Sequence, residues 1–293
     1  MKPENCFTEP MPVRLITLNI RYAIKKTLLP NEQPWEVRCP KLTSQLRFHT
    51  AGLTNAFICI QEAQNQQLHD LEAELGPQWA SIGCGRADGV SDGEFSPVFY
   101  RIDHWTAERS ETYWLSPTPK KPSNAWGATI NRIVTVGLFK HKTSDARIVV
   151  MSTHLDHKSQ EARRESAKML LKIAEEWLKN ASEGSGKDVP VFLGGDFNSG
   201  PKDEPHQILT AQPGGMRDIS DLIPAYQHYG NKITHTTFGE AESTTIDYLF
   251  VLNHKHIRFC NFAVLSNRFD DGVYYSDHRP VVADMEILRS KGQ

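Results

Sequence analysis

The segment Val189–Asn198 reads VPVFLGGDFN. An apolar, β-branched run stops abruptly on two glycines, an acid, an aromatic and an amide. A buried strand that delivers polar side chains to the edge of a sheet has this pattern. The same grammar recurs on either side, in RIVVMSTHLDH at Arg147–His157, AFICIQE at Ala56–Glu62 and VRLITLN at Val13–Asn19. The runs Pro97–Arg101, Ile133–Phe139, Ile246–Leu252 and Pro280–Ile287 predict further strands. Two helices are predicted between them. Lys158–Asn180 carries Ala162, Met169, Ile173 and Trp177 at roughly helical spacing, and its charges alternate in sign as on a solvated face. Lys41–Leu53 is the second. Gly83–Ser96, Ser116–Gly127, Ala181–Asp188 and Ala211–Gly215 read as loops from their Gly, Pro, Ser and Asp content. No internal repeat or linker interrupts the chain. The organisation expected is an extension over residues 1–12 followed by one α/β domain over residues 13–288.

Composition removes several function classes. The 293 residues hold 33 Lys and Arg against 35 Asp and Glu, without the basic excess of a dedicated duplex-DNA binder. The five cysteines include no C-x-x-C pair, so reduced thiols are expected rather than a zinc or redox site. The amino terminus has no apolar signal core, and no run of about 18 apolar residues predicts a membrane span. The chain is therefore expected to be soluble and cytoplasmic, with the nucleus also open, and no protein partner is inferable. Gly184-Ser185-Gly186-Lys187 resembles part of a P-loop but is followed by Asp188 and reads as a turn; no G-x-S-x-G elbow exists.

Chemistry begins where the apolar runs end. Val13–Leu18 ends in Asn19, Phe57–Ile60 in Gln61-Glu62, Ile148–Ser152 in Thr153-His154-Leu155-Asp156-His157, and Val189–Leu193 in Gly194-Gly195-Asp196-Phe197-Asn198. Ligand sites of open α/β sheets gather at such ends. Carboxylates with amide oxygens favour Mg²⁺, with Mn²⁺ as the alternative, over zinc. If the segment leaving the strand stays extended, Asp196 and Asn198 project to the same side and face one phosphate.

Taken in order, NIR (Asn19–Arg21), IQE (Ile60–Glu62), THLDH (Thr153–His157), GDFN (Gly195–Asn198), IDY (Ile246–Tyr248) and SDHRP (Ser276–Pro280) resemble the endonuclease/exonuclease/phosphatase, or DNase I-like, superfamily. EFSPVFYR (Glu94–Arg101) and TYWLS (Thr112–Ser116) are similar to its bacterial and fungal hydrolases. The resemblance implies a four-layer αββα sandwich and a Mg²⁺- or Mn²⁺-dependent phosphoesterase. It implies Glu62, Asn19 and Asp277 as metal ligands, Asp196 as the residue that orients or deprotonates water, and Asn198 as a phosphate-holding amide. His278, paired with Asp247, would protonate the leaving group or stabilise the transition state. His154, oriented by Glu94, and Arg132 would contact the phosphate. Thr245, Gly127 and Asn131 depart from the pattern, which unsettles substrate preference rather than the catalytic set.

The substrate expected is a small phosphorylated molecule or single-stranded nucleic acid, cut at a phosphodiester or phosphomonoester bond. Tyr113, Trp114 and Trp126 are open to two readings, as stacking platforms or as packing anchors. The rival functions are a non-catalytic phosphate-binding module on the same fold and a dinuclear hydrolase of the metallo-β-lactamase type. The latter is suggested by Ser152-x-His154-x-Asp156-His157, where Ser152 cannot serve as the missing histidine ligand.

Overall fold

The computed structural model describes residues 10–24, 26–183, 188–239 and 244–288. The Gly184–Lys187 turn lies outside them, as does most of the 1–12 extension. The chain begins β1 (Met11–Asn19), α1 (Trp35–Thr50), β2 (Ala56–Gln61), α2 (Asn65–Leu75), β3 (Trp79–Ile82), β4 (Val98–Arg101), β5 (Trp105–Trp114), β6 (Ile133–His141) and β7 (Arg147–His154). It continues α3 (Gln160–Glu183), β8 (Val191–Asp196), α4 (Glu204–Thr210), β9 (Arg217–Asp218), α5 (Ile219–Leu222), β10 (His228–Gly230), β11 (Asp247–Leu252), β12 (Ile257–Val264) and β13 (Val281–Ile287).

The strands form two mixed sheets, ordered β10-β12-β13-β1-β2-β4-β3 and β5-β6-β7-β8-β11-β9. Both faces of the central strands are buried, which is why their sequences run apolar without alternation. Leu15, Phe57, Cys59 and Val98 of the first sheet meet Val150, Phe192 and Leu249 of the second in the layer between them. On the outer face of the first sheet, Ile16, Leu18, Ile58 and Ile60 pack with Leu42 and Leu46 of α1 and Leu68 and Leu71 of α2. On the outer face of the second, Val149, Met151 and Leu193 pack with Ala167, Leu170, Ala174 and Trp177 of α3. The order is helix, sheet, sheet, helix: the αββα sandwich.

Sequence and structure differ at α1. The helix starts at Trp35, not Lys41, and passes through Pro40. A proline inside a helix costs about 3 kcal/mol. Here it is exposed, while Trp35, Cys39, Leu42 and Leu46 form one buried stripe that holds the turn before it. Strands β3, β5 and β12 and helix α2 were not among the predicted elements. Tyr113 and Trp114 end β5 as packing anchors, with Tyr113 Oη accepting from Trp177 Nε1 at 3.0 Å and Trp114 Nε1 donating to the Arg86 carbonyl at 2.8 Å.

Candidate active site

Strand register sets the site. Asn19 is level with Gln61 across β1 and β2, His154 with Asp196 across β7 and β8, and Asp196 with Asp247 across β8 and β11. The polar residues that end these strands thus meet at one rim. Glycine permits the close approach: a Cβ on Gly195 would stand 2.4 Å from the Thr153 carbonyl oxygen.

The two sheets are joined through Asn19. Its Nδ2 donates to Glu62 Oε1 at 2.9 Å and to Asp196 Oδ2 at 3.0 Å, and its Oδ1 accepts the Arg21 N–H at 2.9 Å. Glu62 Oε2 accepts the Tyr22 N–H at 3.1 Å. Ser276 Oγ donates to the Asn19 carbonyl at 2.6 Å, which ties Asp277 and His278 to the end of β1. His278 Nδ1 lies 2.9 Å from Asp247 Oδ2, and its Nε2 lies 3.6 Å from Asp196 Oδ2. Asn198 Nδ2 donates to the Leu155 carbonyl and to His154 Nε2, each at 3.0 Å. Glu62, His154, Asp196, Asn198, Asp277 and His278 line a pocket of about 350 Å³, together with Arg21, Arg86, Arg132, His157 and His235, while Asn19 and Asp247 stand behind it.

Three site residues other than glycine have left-handed backbones: Arg21 at φ 57°, Glu62 at 63° and Asn198 at 47°. Such conformations cost about 1 kcal/mol or more each and persist where surrounding contacts fix them. Asn198 corrects the extended reading of its segment. The chain turns instead, the Asn198 N–H donating to Asp196 Oδ1 at 2.9 Å, and this Asx turn aims both side chains at the pocket.

Electrostatics divide the site. Burial opposes the ionisation of Glu62, yet hydrogen bonds from Asn19 and the Tyr22 N–H, with His278 and Arg21 nearby, hold its carboxyl below the ordinary value. Asp277 is pushed up by burial and by the charge of Glu62. Burial, with Asp247, raises Asp196 to about 7 against the pull of His278. Burial disfavours the imidazolium of His278, but Asp247, Asp196 and Asp277 outweigh it and raise the ring to about 10. His154 is held well below the usual histidine range by burial and by Arg132 and Arg86. Several buried polar atoms have no hydrogen-bond partner: Arg132 Nε and Nη1, His154 Nδ1 and Asp247 Oδ1. Arg132 Nε has only Asp156 Oδ2 nearby, at 3.7 Å. Buried groups are normally satisfied, so the open Arg132 Nη1 and His154 Nδ1, both on residues that line the pocket, mark where an anionic ligand would complete the set. Among the described residues, His235, Asp277 and His278, and likewise Asp196, Asp247 and His278, bring ligand atoms within 4.8 Å of one another, close enough to hold a metal ion.

Of the residues singled out in the sequence, Asn19, Glu62, His154, Asp196, Asn198, Asp247, Asp277, His278 and Arg132 come together here. Glu94 lines the same pocket but pairs with Arg86, Oε1 to Nη2 at 2.7 Å, not with His154 as expected; an arginine of its own loop is the stronger partner for a half-buried carboxylate. The dinuclear pattern does not form. Asp156 Oδ1 accepts the Lys158 and Ser159 N–H groups at the start of α3, and His157 Nδ1 lies 2.9 Å from Arg132 Nη2.

No family sequence model matches the chain, and no curated protein sequence does. Solved structures do. An endonuclease/exonuclease/phosphatase from Bacteroides vulgatus is 28% identical with a TM-score of 0.82, over 94% of this chain and 99% of that one. The mannosyl-6-phosphatase Bt3783 of Bacteroides thetaiotaomicron is 26% identical with a TM-score of 0.78, over 93% and 99%. D. rerio TDP2 complexed with a single-strand DNA product is 16% identical with a TM-score of 0.68, over 94% and 98%, a likeness of fold alone. The chain belongs to the endonuclease/exonuclease/phosphatase superfamily. Membership supports phosphoester hydrolysis as its class of chemistry. No helix among the described residues is long and apolar enough to cross a membrane.

In this member of the superfamily, sequence reading missed four residues at the site. Arg86 lies in a Gly- and Asp-rich stretch read only as a loop. His235 sits in THTTF, with no strand to mark it; its ring packs 4.6 Å from that of His278, and burial together with His278 lowers it to about 4. Arg21 was visible only as the last letter of NIR. Arg38 is fully buried and donates to the carbonyls of Gln33, Ile20, Tyr275 and Arg21 at 2.7–3.0 Å, pinning the turns that carry Asn19 and Asp277. Its one sequence signal is a cation on the apolar stripe of α1.

Proposed function

We propose that this chain is a divalent-metal-dependent phosphoester hydrolase that directs water in line at phosphorus. The observation that supports it most is the hydrogen-bonded path Glu62–Asn19–Asp196, with His278 Nε2 3.6 Å from Asp196 and its Nδ1 hydrogen-bonded to Asp247, beside Arg132, whose Nη1 has no hydrogen-bond partner.

The donor set fits Mg²⁺ or Mn²⁺. Glu62, already favoured as a carboxylate, stands near Asp277 and the Oδ1 of Asn19, a hard-oxygen set of the kind these ions take. The uptake of a cation would offset the burial and the repulsion from Glu62 that together raise Asp277. When bound, such an ion supplies positive charge to a phosphoryl oxygen and to the departing oxygen.

The protein's own groups divide the remaining work. Asp196 is the acceptor for a water proton, and the Asn198 turn fixes its carboxylate. His278 is held as an imidazolium by Asp247. Because its Nε2 is only 3.6 Å from Asp196 Oδ2, it stands on the side from which water arrives. In-line displacement expels the leaving group on the opposite side. Of the two roles expected for His278, donation to a non-bridging phosphoryl oxygen therefore fits better than protonation of the leaving group. Arg132 and the Asn198 amide add donors for the charge that develops there.

The substrate reading is a small phosphorylated molecule, in keeping with the chain's formal charge of −2. Hydrolysis of phosphomonoesters and diesters in Mg²⁺ or Mn²⁺, repeated in EDTA and with Asp196→Asn, tests the proposal. Metal-dependent release of product that the variant loses is expected. Release unaffected by EDTA, or equal in the variant, contradicts it.

A further inference from the structure

A second cavity, of about 900 Å³, opens beside the phosphate pocket. The Arg86–Glu94 ion pair lines both, and the chain leaving β1 passes from one to the other at Tyr22 and Ala23. The first turns of α1 and α2 supply Glu36, Asn65 and Gln66 to its wall, and the loop before Glu94 supplies Asp92. All four of these side chains are exposed. A group esterified to a phosphate held by Arg132 and His278 has this cleft as the adjoining volume.

Its chemistry selects among leaving groups. Among the described lining residues, the acids Glu36, Asp92 and Glu94 face the bases Lys26 and Arg86, and Arg86 is already paired with Glu94. A nucleic acid strand continuing from the scissile phosphate needs cations at successive phosphates, and this wall offers carboxylates. The wall also carries apolar stretches at Ala23, Ile24, Leu28, Pro34 and Trp35, which would take the C–H face of a ring, but a wholly apolar group would leave the amides and carboxylates without partners, at the cost that burying such groups carries. Carboxylates only accept hydrogen bonds, whereas Asn and Gln amides both donate and accept. That mixture matches neighbouring hydroxyls, each of which donates to one partner and accepts from another. We propose that the cleft is a leaving-group subsite for a neutral, hydroxyl-rich moiety, so that the preferred substrate is the phosphomonoester of a sugar or cyclic polyol. The inference rests on the hydrolase reading above and gives it a substrate class.

The test compares glucose 6-phosphate, mannose 6-phosphate and inositol 1-phosphate with cyclohexylmethyl phosphate, which keeps the ring and loses the hydroxyls. The ratio of kcat/KM for the best polyol ester to that for the cyclohexylmethyl ester is expected to be about 10 or more. In the double variant Glu36→Ala/Asn65→Ala it should fall toward one. A wild-type ratio near one, a ratio the variant leaves in place, or faster cleavage of a single-stranded oligonucleotide than of any polyol ester overturns the subsite while hydrolysis itself stands. If no ester is hydrolysed in Mg²⁺ or Mn²⁺, the hydrolase reading fails instead. Calorimetric titration with the same esters then decides the subsite, by tenfold tighter binding of a polyol ester or by equal or absent binding.

Discussion

The half of the pocket carried by the seven-stranded sheet and the half carried by the six-stranded sheet are finished to different degrees. In the first, both oxygens of Glu62 accept hydrogen bonds and Asn19 uses its amide on both sides, so the carboxylate stands ionised and fixed. In the second, Arg132 Nη1 and His154 Nδ1 are buried without a hydrogen-bond partner, and Arg132 Nε reaches only Asp156 Oδ2, at 3.7 Å. Ionised oxygens held in place suit a cation, whereas unsatisfied donors suit an anion that arrives with its own oxygens. One site therefore has a preformed cation side and an incomplete phosphate side, with Asn19 as the link. The comparison teaches that catalysis and metal binding should separate under mutation.

Substitutions at four positions can break or sharpen that division. Asp196→Asn removes the proton acceptor and should lower kcat by about 10²–10⁴, measured by steady-state hydrolysis. Arg132→Ala takes away a guanidinium whose Nη1 no neighbour satisfies and should reduce kcat/KM by roughly 10²; Arg132→Lys should recover little of it, because an ammonium cannot replace the fork. Arg38→Lys disturbs the cation side from behind, through the carbonyls of Ile20, Arg21 and Tyr275. It should weaken Mn²⁺ binding by about tenfold, as outer partners of metal ligands do, and a calorimetric titration would show it. Asp247→Asn changes a pH limb more than a rate at neutrality. The rate needs Asp196 as carboxylate and His278 as imidazolium, so it should rise as pH passes about 7 and fall near 10. Loss of Asp247's negative charge lowers the His278 pKa and, to a smaller extent, that of Asp196, so both limbs should move to lower pH, the alkaline one further.

Much of the site was legible because it is built at strand ends, where a one-dimensional pattern carries three-dimensional meaning. The runs ending in Asn19, Glu62, His154 and Asp196 lie on two pairs of neighbouring central strands, β1 and β2 in one sheet and β7 and β8 in the other, and their apolar letters mark them. Strand β5 was not legible for the opposite reason. It lies at a sheet edge with Glu108, Arg109 and Glu111 exposed or partly so, and these are satisfied by ion pairs with Arg147 and Lys120 and with each other. Its aromatic residues stand only at the two ends, Trp105, Tyr113 and Trp114, and no apolar run joins them. The Asn198 turn was misjudged because i, i+2 spacing implies one face only while the chain stays extended. Arg86 and His235 come from loops, whose course is set by tertiary contacts rather than by a period.

The most direct test is Mn²⁺ binding, followed by calorimetry, in the wild type, Glu62→Gln and Asp196→Asn. Wild-type protein and Asp196→Asn are expected to bind the ion while Glu62→Gln does not, with Asp196→Asn unable to turn over substrate. Binding that survives in Glu62→Gln and is lost in Asp196→Asn, or that is absent from the wild type, would contradict the division between a cation side and a phosphate side.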